Sequence, residues 1–492
     1  MKLRAFSGIG MMTAALALSQ SSYAQDVLNL GKYGQYNSFG TARSMGFGNT
    51  LGSVGGDFSS LSVNPAGIGI YRSSEVMFTP GLRFSSNNSI WQGKSSDDNN
   101  VRFGFNNMGA VFTDAASSKN YDRADWKSTS FGFGLNRVAD FNRTYNYNGT
   151  SYNGSASQYF EADALSHPDD VGPNQGAGTP AYLGYQSYLL SGNLLSLVPY
   201  TSGINQQRTV QEKGGITEMA ISAGGNYRDK LLIGGTLGID FLNHKSYSTM
   251  YEETINAATS DSFDHFSYNE SVRTNGTGVN LKLGMIYKFN NYFRAGLAVH
   301  TPTLYTLKET SDNDISVTSN VFGTNGISSP QNQFEYTYVS PMKVIASATG
   351  ILGKYGFLSM DYEYVTYNTM RYHFENFPTE QQQYNSYIKS LYTGASNLRA
   401  GLELRFDQFM VRGGYGFYGS PFKQKLYMSD RNDFSFGIGY RFEQSFIDFA
   451  ITKSYYKTYE QPYVLANGYN QPQVAEIRNS PTYGVITVGW KL

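Results

Sequence analysis

The chain has 492 residues, with 40 Tyr, 32 Phe and 53 Gly against 38 Lys plus Arg and 38 Asp plus Glu, for a formal net charge of zero. That balance excludes the basic face of a nucleic-acid binder, and a mean hydropathy of −0.39 excludes a bundle of membrane helices while leaving open a β-barrel, whose alternating strands average out. There is no Cys, so disulfides, thiolate chemistry and a lipid-anchored lipoprotein start are excluded.

The chain opens with Lys2 and Arg4, then an apolar run from Gly8 to Leu18 and the small-residue site Ser22-Tyr23-Ala24. This reads as a secretory signal peptide over 1–24, too short to span a bilayer as a helix. Residues 25–73 follow without clear alternation. They are rich in Gly and small residues, yet carry Phe58, Leu61, Val63, Ala66 and Ile68 through the turn chemistry of Asn64-Pro65 and Gly67. Pro65 fixes its own φ and biases Asn64 toward extended backbone, and Gly67 is free to take angles that other residues avoid.

From residue 74 to 492 the pattern has period two. Leu398, Ala400, Leu402, Leu404 and Phe406 alternate with Arg399, Gly401, Glu403 and Arg405. Phe434, Phe436, Ile438, Tyr440 and Phe442 alternate with Ser435, Gly437, Gly439 and Arg441, and Gly484, Ile486, Val488, Trp490 and Leu492 share one face. Aromatics at strand ends and glycines on the opposite face predict a transmembrane antiparallel β-barrel, all-β, rather than a soluble sandwich. About fourteen strands are expected, starting near Glu75, Asn106, Ser128, Ile216, Leu231, Ser267, Tyr292, Phe334, Phe357, Asn397, Phe409, Asp433, Phe446 and Thr482. Short turns at 226–230, 289–293, 352–356, 406–409 and 442–446 alternate with long polar segments at 249–264, 308–330, 376–394, 420–432 and 458–481. That asymmetry places the short turns and both chain ends in the periplasm and the long loops outside a Gram-negative cell. A lumen this wide is not filled by side chains alone, so residues 25–73 are expected to fold into it as a hatch, the one place where irregular backbone is tolerated at membrane depth.

The stretch from Phe39 to Phe78 resembles the N-terminal hatch of the FadL/TodX-type outer-membrane transporters of hydrophobic compounds (OmpP1-like proteins). Gly40, Ala42, Arg43, Asn64, Pro65, Ala66 and Gly67 stand at the places of that family's Gly-x-Ala-Arg start and Asn-Pro-Ala motif. The later Arg412, Gly413, Gly414, Tyr415, Ser420 and Pro421 look like its paired strands. The resemblance implies a fourteen-stranded barrel with a gating hatch, passive uptake of long-chain fatty acids or aromatic hydrocarbons, and outer-membrane lipid, lipopolysaccharide and a hydrophobic ligand as partners.

Several side chains are candidates for that work. Leu190, Leu194, Leu197 and Val198 recur at helical spacing, with Tyr182, Tyr185 and Leu189 on a neighbouring face. They predict either a capture helix pair on the external segment Asn146 to Gly215 or a stripe packed on the barrel rim. Arg399, Arg405, Arg412, Arg441 and Lys491 fall on the inward phase, as lumen cations for a carboxylate or as members of internal ion pairs with groups such as Glu403. In strand three the alternation turns Arg137 toward lipid. Either a bulge at Asn136, Arg137 and Val138 rotates it inward, similar to the family's kinked third strand that opens the wall sideways, or Arg137 snorkels at the interface.

Catalytic readings find no support. His167, His244, His265, His300 and His373 form no metal spacing, and no cofactor or enzyme activity is expected. A haem receptor using His300 or His373 is one alternative, and a structural or secretion-associated barrel holding envelope proteins is another. Asp97–Asn100 and Asp312–Ser316 read as solvated turns rather than calcium loops.

Overall fold

The computed structural model describes residues 31–34, 39–117, 119–172, 176–255, 263–425 and 427–492; the signal-peptide reading of 1–24 lies outside them. Fourteen strands form one closed antiparallel sheet, and the alternation seen in the sequence becomes its two faces. They are β1 (Glu75–Trp91), β2 (Lys94–Ala115), β3 (Trp126–Asp140, continued by Arg143–Ser151), β4 (Ile204–Tyr227) and β5 (Leu231–Thr254). Next come β6 (His265–Lys288), β7 (Phe293–His300 and Leu304–Ser319), β8 (Gly323–Ser328, Asn332–Val339 and Lys343–Ile351) and β9 (Gly356–Thr366 and Arg371–His373). The last five are β10 (Gly394–Phe406), β11 (Phe409–Tyr418), β12 (Arg431–Arg441), β13 (Ser445–Glu460) and β14 (Ala475–Asn479 and Thr482–Lys491). β1 pairs with β14 from Glu75↔Lys491 to Phe84↔Thr482 and again above it, which closes the barrel without a free edge there. Phe131, Phe133, Leu237, Leu281, Leu283, Phe436 and Ile438 are exposed on the outer face, a continuous apolar belt of the kind that lipid covers.

Most strand starts fall within a few residues of the expected ones, and the differences have local causes. β2 starts at Lys94, well before Asn106, because β1 and β2 run on past the apolar belt to the two-residue turn Gln92-Gly93, both at positive φ (49° and 78°). Asp97–Asn100 therefore lies in a strand and is no turn: Asp98 accepts from Asn146 N at 2.7 Å. Asp312–Ser316 is likewise strand, paired with β6, so much of the 308–330 loop is a hairpin.

Residues 39–72 lie inside the barrel. Thr41 caps a short helix, α1 (Ala42–Gly46), by accepting from Ser44 N at 3.1 Å, and α2 (Ser60–Val63) leads into a 3-10 turn, Pro65–Ile70. The apolar residues that a surface linker has no use for now have partners: Phe58, Leu61, Ile68 and Tyr71 pack with Met77, Val111 and Ala220 of the inner wall. The inward glycines are the counterpart. A Cβ on Gly401 would sit 2.0 Å from Phe47 O, on Gly414 2.3 Å from Gly48 N, on Gly296 2.1 Å from Gly52 O, and on Gly234 2.5 Å from Pro65 O. Hatch backbone thus rests directly on wall backbone around the circumference.

Valine at 401 should force the hatch off this wall, because the obstructing atoms are backbone. Cells expressing Gly401→Val are expected to become sensitive to a hydrophilic antibiotic too large for the intact wall. Gly413→Val, whose Cβ meets nothing within 4 Å, should leave sensitivity unchanged.

Candidate functional site

Hydrogen bonds from several strands hold the hatch to the wall, among them those of the Asn64 motif and of an ion-pair chain that starts at Arg43. Asn64 is extended (φ −140°, ψ 101°), as its place before Pro65 requires. Its Oδ1 accepts from Ala66 N at 3.2 Å, and its Nδ2 donates to Gly52 O at 2.5 Å and to Met285 O of β6 at 3.3 Å. One side chain therefore ties two parts of the hatch to the wall, with Gly284 leaving the space it needs. Gly67 does not use a special φ. It is small because a Cβ would sit 2.9 Å from Gly55 Cα, and Gly56 N donates to Gly67 O at 2.9 Å. Gly40 is confined by Ser44 and Ser59, and Ala42 N donates to Thr487 Oγ1 of β14 at 2.7 Å.

Arg43 joins the hatch to the far wall. Its Nε reaches Glu403 Oε2 of β10 at 3.0 Å, and its Nη1 donates to Gly56 O at 2.6 Å. Glu403 also takes Arg412 Nε at 2.6 Å. Arg412 Nη1 continues to Asp448 Oδ1 at 2.7 Å, which receives Arg441 Nη1 at 3.0 Å. Arg399 lies 3.5 Å from Asp361 and 3.7 Å from Glu363. Three of the expected lumen cations are therefore inside and matched by carboxylates. Arg405 and Lys491 are not lumen groups. Both are exposed at the rim that carries the short turns, where Arg405 Nε donates to Asp407 O at 3.0 Å in the adjoining turn.

Above the hatch lies a cavity of about 90 Å³ lined by Val63, Asn136, Lys282, His300, Lys343 and Arg399 among others. Asn136 Nδ2 donates to Ser62 Oγ at 2.8 Å, Ser62 Oγ to Glu218 Oε1 at 2.6 Å, and Lys282 pairs with Glu218. His300 Nε2 lies 2.9 Å from Val63 O, so this histidine is bound to the hatch. The sequence reading passed over Lys282 and Lys343. Lys282 lies on β6 and Lys343 opens the last segment of β8, and only the paired register of β6, β7 and β8 brings them to one cavity. Among the described residues no group of three or more His, Asp and Glu is placed to hold a metal ion.

Strand three carries the irregularity foreseen for it, in another form. The β3–β4 register shifts between Arg137 and Ala139. The bulge takes up Val138, and Val138 and Ala139 both pack inward with Ile216. Arg137 keeps the phase of Phe133 and Leu135, and it donates to Gly214 O at 2.6 Å and Thr217 Oγ1 at 3.2 Å. Opposite the bulge, Gly214 and Gly215 have φ of 114° and 156°. This kink coincides with the end of the β2–β3 backbone ladder. Backbone pairing between β2 and β3 ends at Asn107↔Asn136, and above it, among the described residues, each bond across the seam involves a side chain: Asn146 N and Nδ2 to Asp98 at 2.7 and 2.8 Å, Asn148 Nδ2 to Ser96 Oγ at 3.3 Å, and Lys94 to Thr150 at 3.4 Å. Val101, Phe103 and Phe105 lie exposed on the unpaired side, Phe103 at 77%.

The external segment does not form the expected stripe helix. After β3 come α3 (Ser157–Ser166) and α4 (Pro180–Gln186), and helix ends there. Tyr188 and Leu194 take positive φ (63° and 64°), and Leu190 bridges Ser196. Leu189, Leu190 and Val198 are buried with Phe160, Met250 and Phe266, while Leu194 and Tyr182 pack at the edge of that cluster. Helical spacing held, but a compact turn buries those leucines instead. Tyr185 sits on α4, and its carbonyl accepts from Tyr188 N at 3.1 Å. Leu197 N donates to Leu189 O at 3.0 Å. Asp163 anchors the two helices by accepting from Ala181 N at 2.8 Å, and burial pushes its carboxyl above the usual carboxylate range.

The fold of this barrel recurs in known structures. The model aligns with a Pseudomonas aeruginosa FadL homologue at a TM-score of 0.58 and 11% identity, covering 93% of this chain and 99% of the other. The chain has the FadL/TodX fold. The P. putida toluene transporter TodX aligns at a TM-score of 0.50 and 12% identity over 94% of this chain and 99% of its own. No family model and no curated protein matches the sequence, so the likeness is carried by architecture.

Glu403 should matter more than Arg43. Glu403→Ala removes the carboxylate from two guanidinium groups, and breaking a buried pair costs about 3–5 kcal/mol. Arg43→Ala leaves Glu403 paired with Arg412. The temperature at which the folded barrel loses its fast gel mobility is expected to fall further for Glu403→Ala; equal falls would contradict the shared-carboxylate arrangement.

Proposed function

We propose that the chain is an outer-membrane channel for passive uptake of hydrophobic small molecules, with the hatch closing the axial route and the β2–β3 seam serving as the side exit. The kinked, side-chain-closed seam carries the reading. A strand edge at membrane depth is tolerated only where protein or water meets it, and this one adjoins a lumen already blocked along the axis by the hatch. A hydrophobic solute gains by leaving water for an apolar wall and then for lipid. The exposed Val101, Phe103 and Phe105 border that path. The fold neighbours point the same way, one being a FadL homologue and the other a toluene transporter.

In this scheme Arg43 and the Asn64-Pro65-Ala66-Gly67 corner hold the hatch, and ligand arrival shifts it. The leucine-rich turn of the external segment positions α3 and α4 over the entrance; Leu189, Leu190 and Val198 act as its core, and capture falls to exposed neighbours such as Tyr188 and Leu195. The periplasmic placement of both chain ends and contacts with lipopolysaccharide belong to the same proposal. The alternative of a barrel that holds envelope proteins has no comparable feature in its favour.

A disulfide across the seam tests the side exit. The chain has no Cys of its own, so Ser96→Cys with Asn148→Cys yields a single cross-link between side chains that already touch. Oxidised protein in outer-membrane vesicles should take up labelled toluene or oleate at least about tenfold more slowly than reduced protein, which corresponds to about 1.4 kcal/mol on the barrier. Uptake that is insensitive to the cross-link would remove the seam from the route.

A further inference from the structure

Above the hatch, the lumen holds a side chain that belongs to no barrel strand. Tyr33 is buried, with its ring 5.6 Å from Phe141, 5.6 Å from His244 and 6.4 Å from Tyr338. Its Oη lies 2.8 Å from His244 Nδ1 in a hydrogen bond. The wall around it is aromatic in depth: Tyr305 stacks on Tyr338 at 6.0 Å, and Tyr372 lies 6.2 Å from Tyr338. The neighbouring Lys32 pairs with Glu212, which also binds Arg143 and lies 3.6 Å from His244 Nε2. The chamber walls come from β3, β5, β7, β8 and β9, and their ladders close without Tyr33. Phe141 sits in the break of β3, so the chamber lies beside the seam of the proposed route.

We propose that Tyr33 is a resident occupant of a ligand site, and that the chamber takes a phenolic small molecule which displaces the Tyr33 ring. Apolar cavities of ring size bind aromatic guests, and edge-to-face contacts favour a ring over a chain. His244 supplies the discrimination. A guest with a hydroxyl replaces the Tyr33 hydrogen bond, whereas a plain hydrocarbon leaves the buried His244 Nδ1 without that bond. The inference rests on the uptake reading above and narrows its substrate class.

The test is equilibrium binding of p-cresol and of toluene to the purified full-length barrel. Tyr33→Ala should bind p-cresol at least about tenfold more tightly than wild type, because the competing ring is gone. Toluene should gain by the same factor, because both guests compete with the same ring, and p-cresol should bind more tightly than toluene in wild type and in Tyr33→Ala alike. Tyr33→Phe, which keeps the ring but loses its bond to His244, should show a smaller gain for p-cresol. Adding His244→Phe to Tyr33→Ala should erase the preference for p-cresol over toluene. Unchanged p-cresol affinity in both Tyr33 variants, with heat-modifiable mobility intact, would overturn the proposal. Equal affinities of Tyr33→Ala for p-cresol and toluene would overturn the phenol assignment. Should Tyr33→Ala fail to assemble, the comparison of Tyr33→Phe with wild type decides alone. Wild-type uptake of labelled toluene or oleate into vesicles is measured separately, so a failed uptake reading is seen there and not mistaken for failure here.

Discussion

Backbone-to-backbone contact between hatch and wall is the constraint on which the rest depends. A fourteen-stranded barrel leaves a lumen that its own side chains do not fill. This chain fills it with irregular backbone, which at membrane depth is stable only if its polar groups find partners. The partners are wall groups such as Thr487, Asp361 and Ser128, which bond Ala42 N, Gly52 N and Gly69 O. Approach that close requires glycine at the touching wall positions, among them Gly234, Gly296, Gly401 and Gly414. The 53 glycines of the composition are in part the imprint of the hatch on the barrel.

With the axis occupied, charge and strand geometry decide what remains open. The inward arginines are spent on Glu403, Asp448, Asp361 and Glu363, so they brace the lumen. Beside the seam the wall bends where Val138 is squeezed out of register and Gly214 and Gly215 absorb the bend. Above that point the β2–β3 seam is held by a few side-chain bonds, each worth far less than a run of backbone ladder. A stiff, plugged cylinder with one weak seam is a device for lateral passage, and that logic ties the fold to the proposed uptake.

Much of this was legible in the sequence. Period-two faces such as Leu398 to Phe406 located the strands, and short turns like Phe406 to Phe409 marked where hairpins reverse. The apolar residues inside the turn-rich stretch Asp57 to Tyr71 pointed to a packed hatch. What stayed hidden depends on three-dimensional register. The ends of β1 and β2 are polar on both faces once above the lipid, so nothing marked where they stop. Leu190, Leu194 and Leu197 have helical spacing, but positive φ at Tyr188 and Leu194 turns the chain, a choice made by packing against Phe160 and Phe266. Arg405 kept its inward phase and still left the lumen, because it lies beside a turn at the rim. Tyr33 and His244 are 211 residues apart, and no local pattern joins them.

The account's central claim is that the hatch, and not the barrel wall, keeps the axial route shut. Single-channel recording in a planar bilayer tests it most directly, comparing the mature chain with one lacking residues 25–62. The mature chain is expected to show no steady ion conductance, and the shortened chain to form a folded barrel with stable open channels. A shortened barrel that folds and stays closed, or a mature chain that conducts ions steadily, would contradict the account.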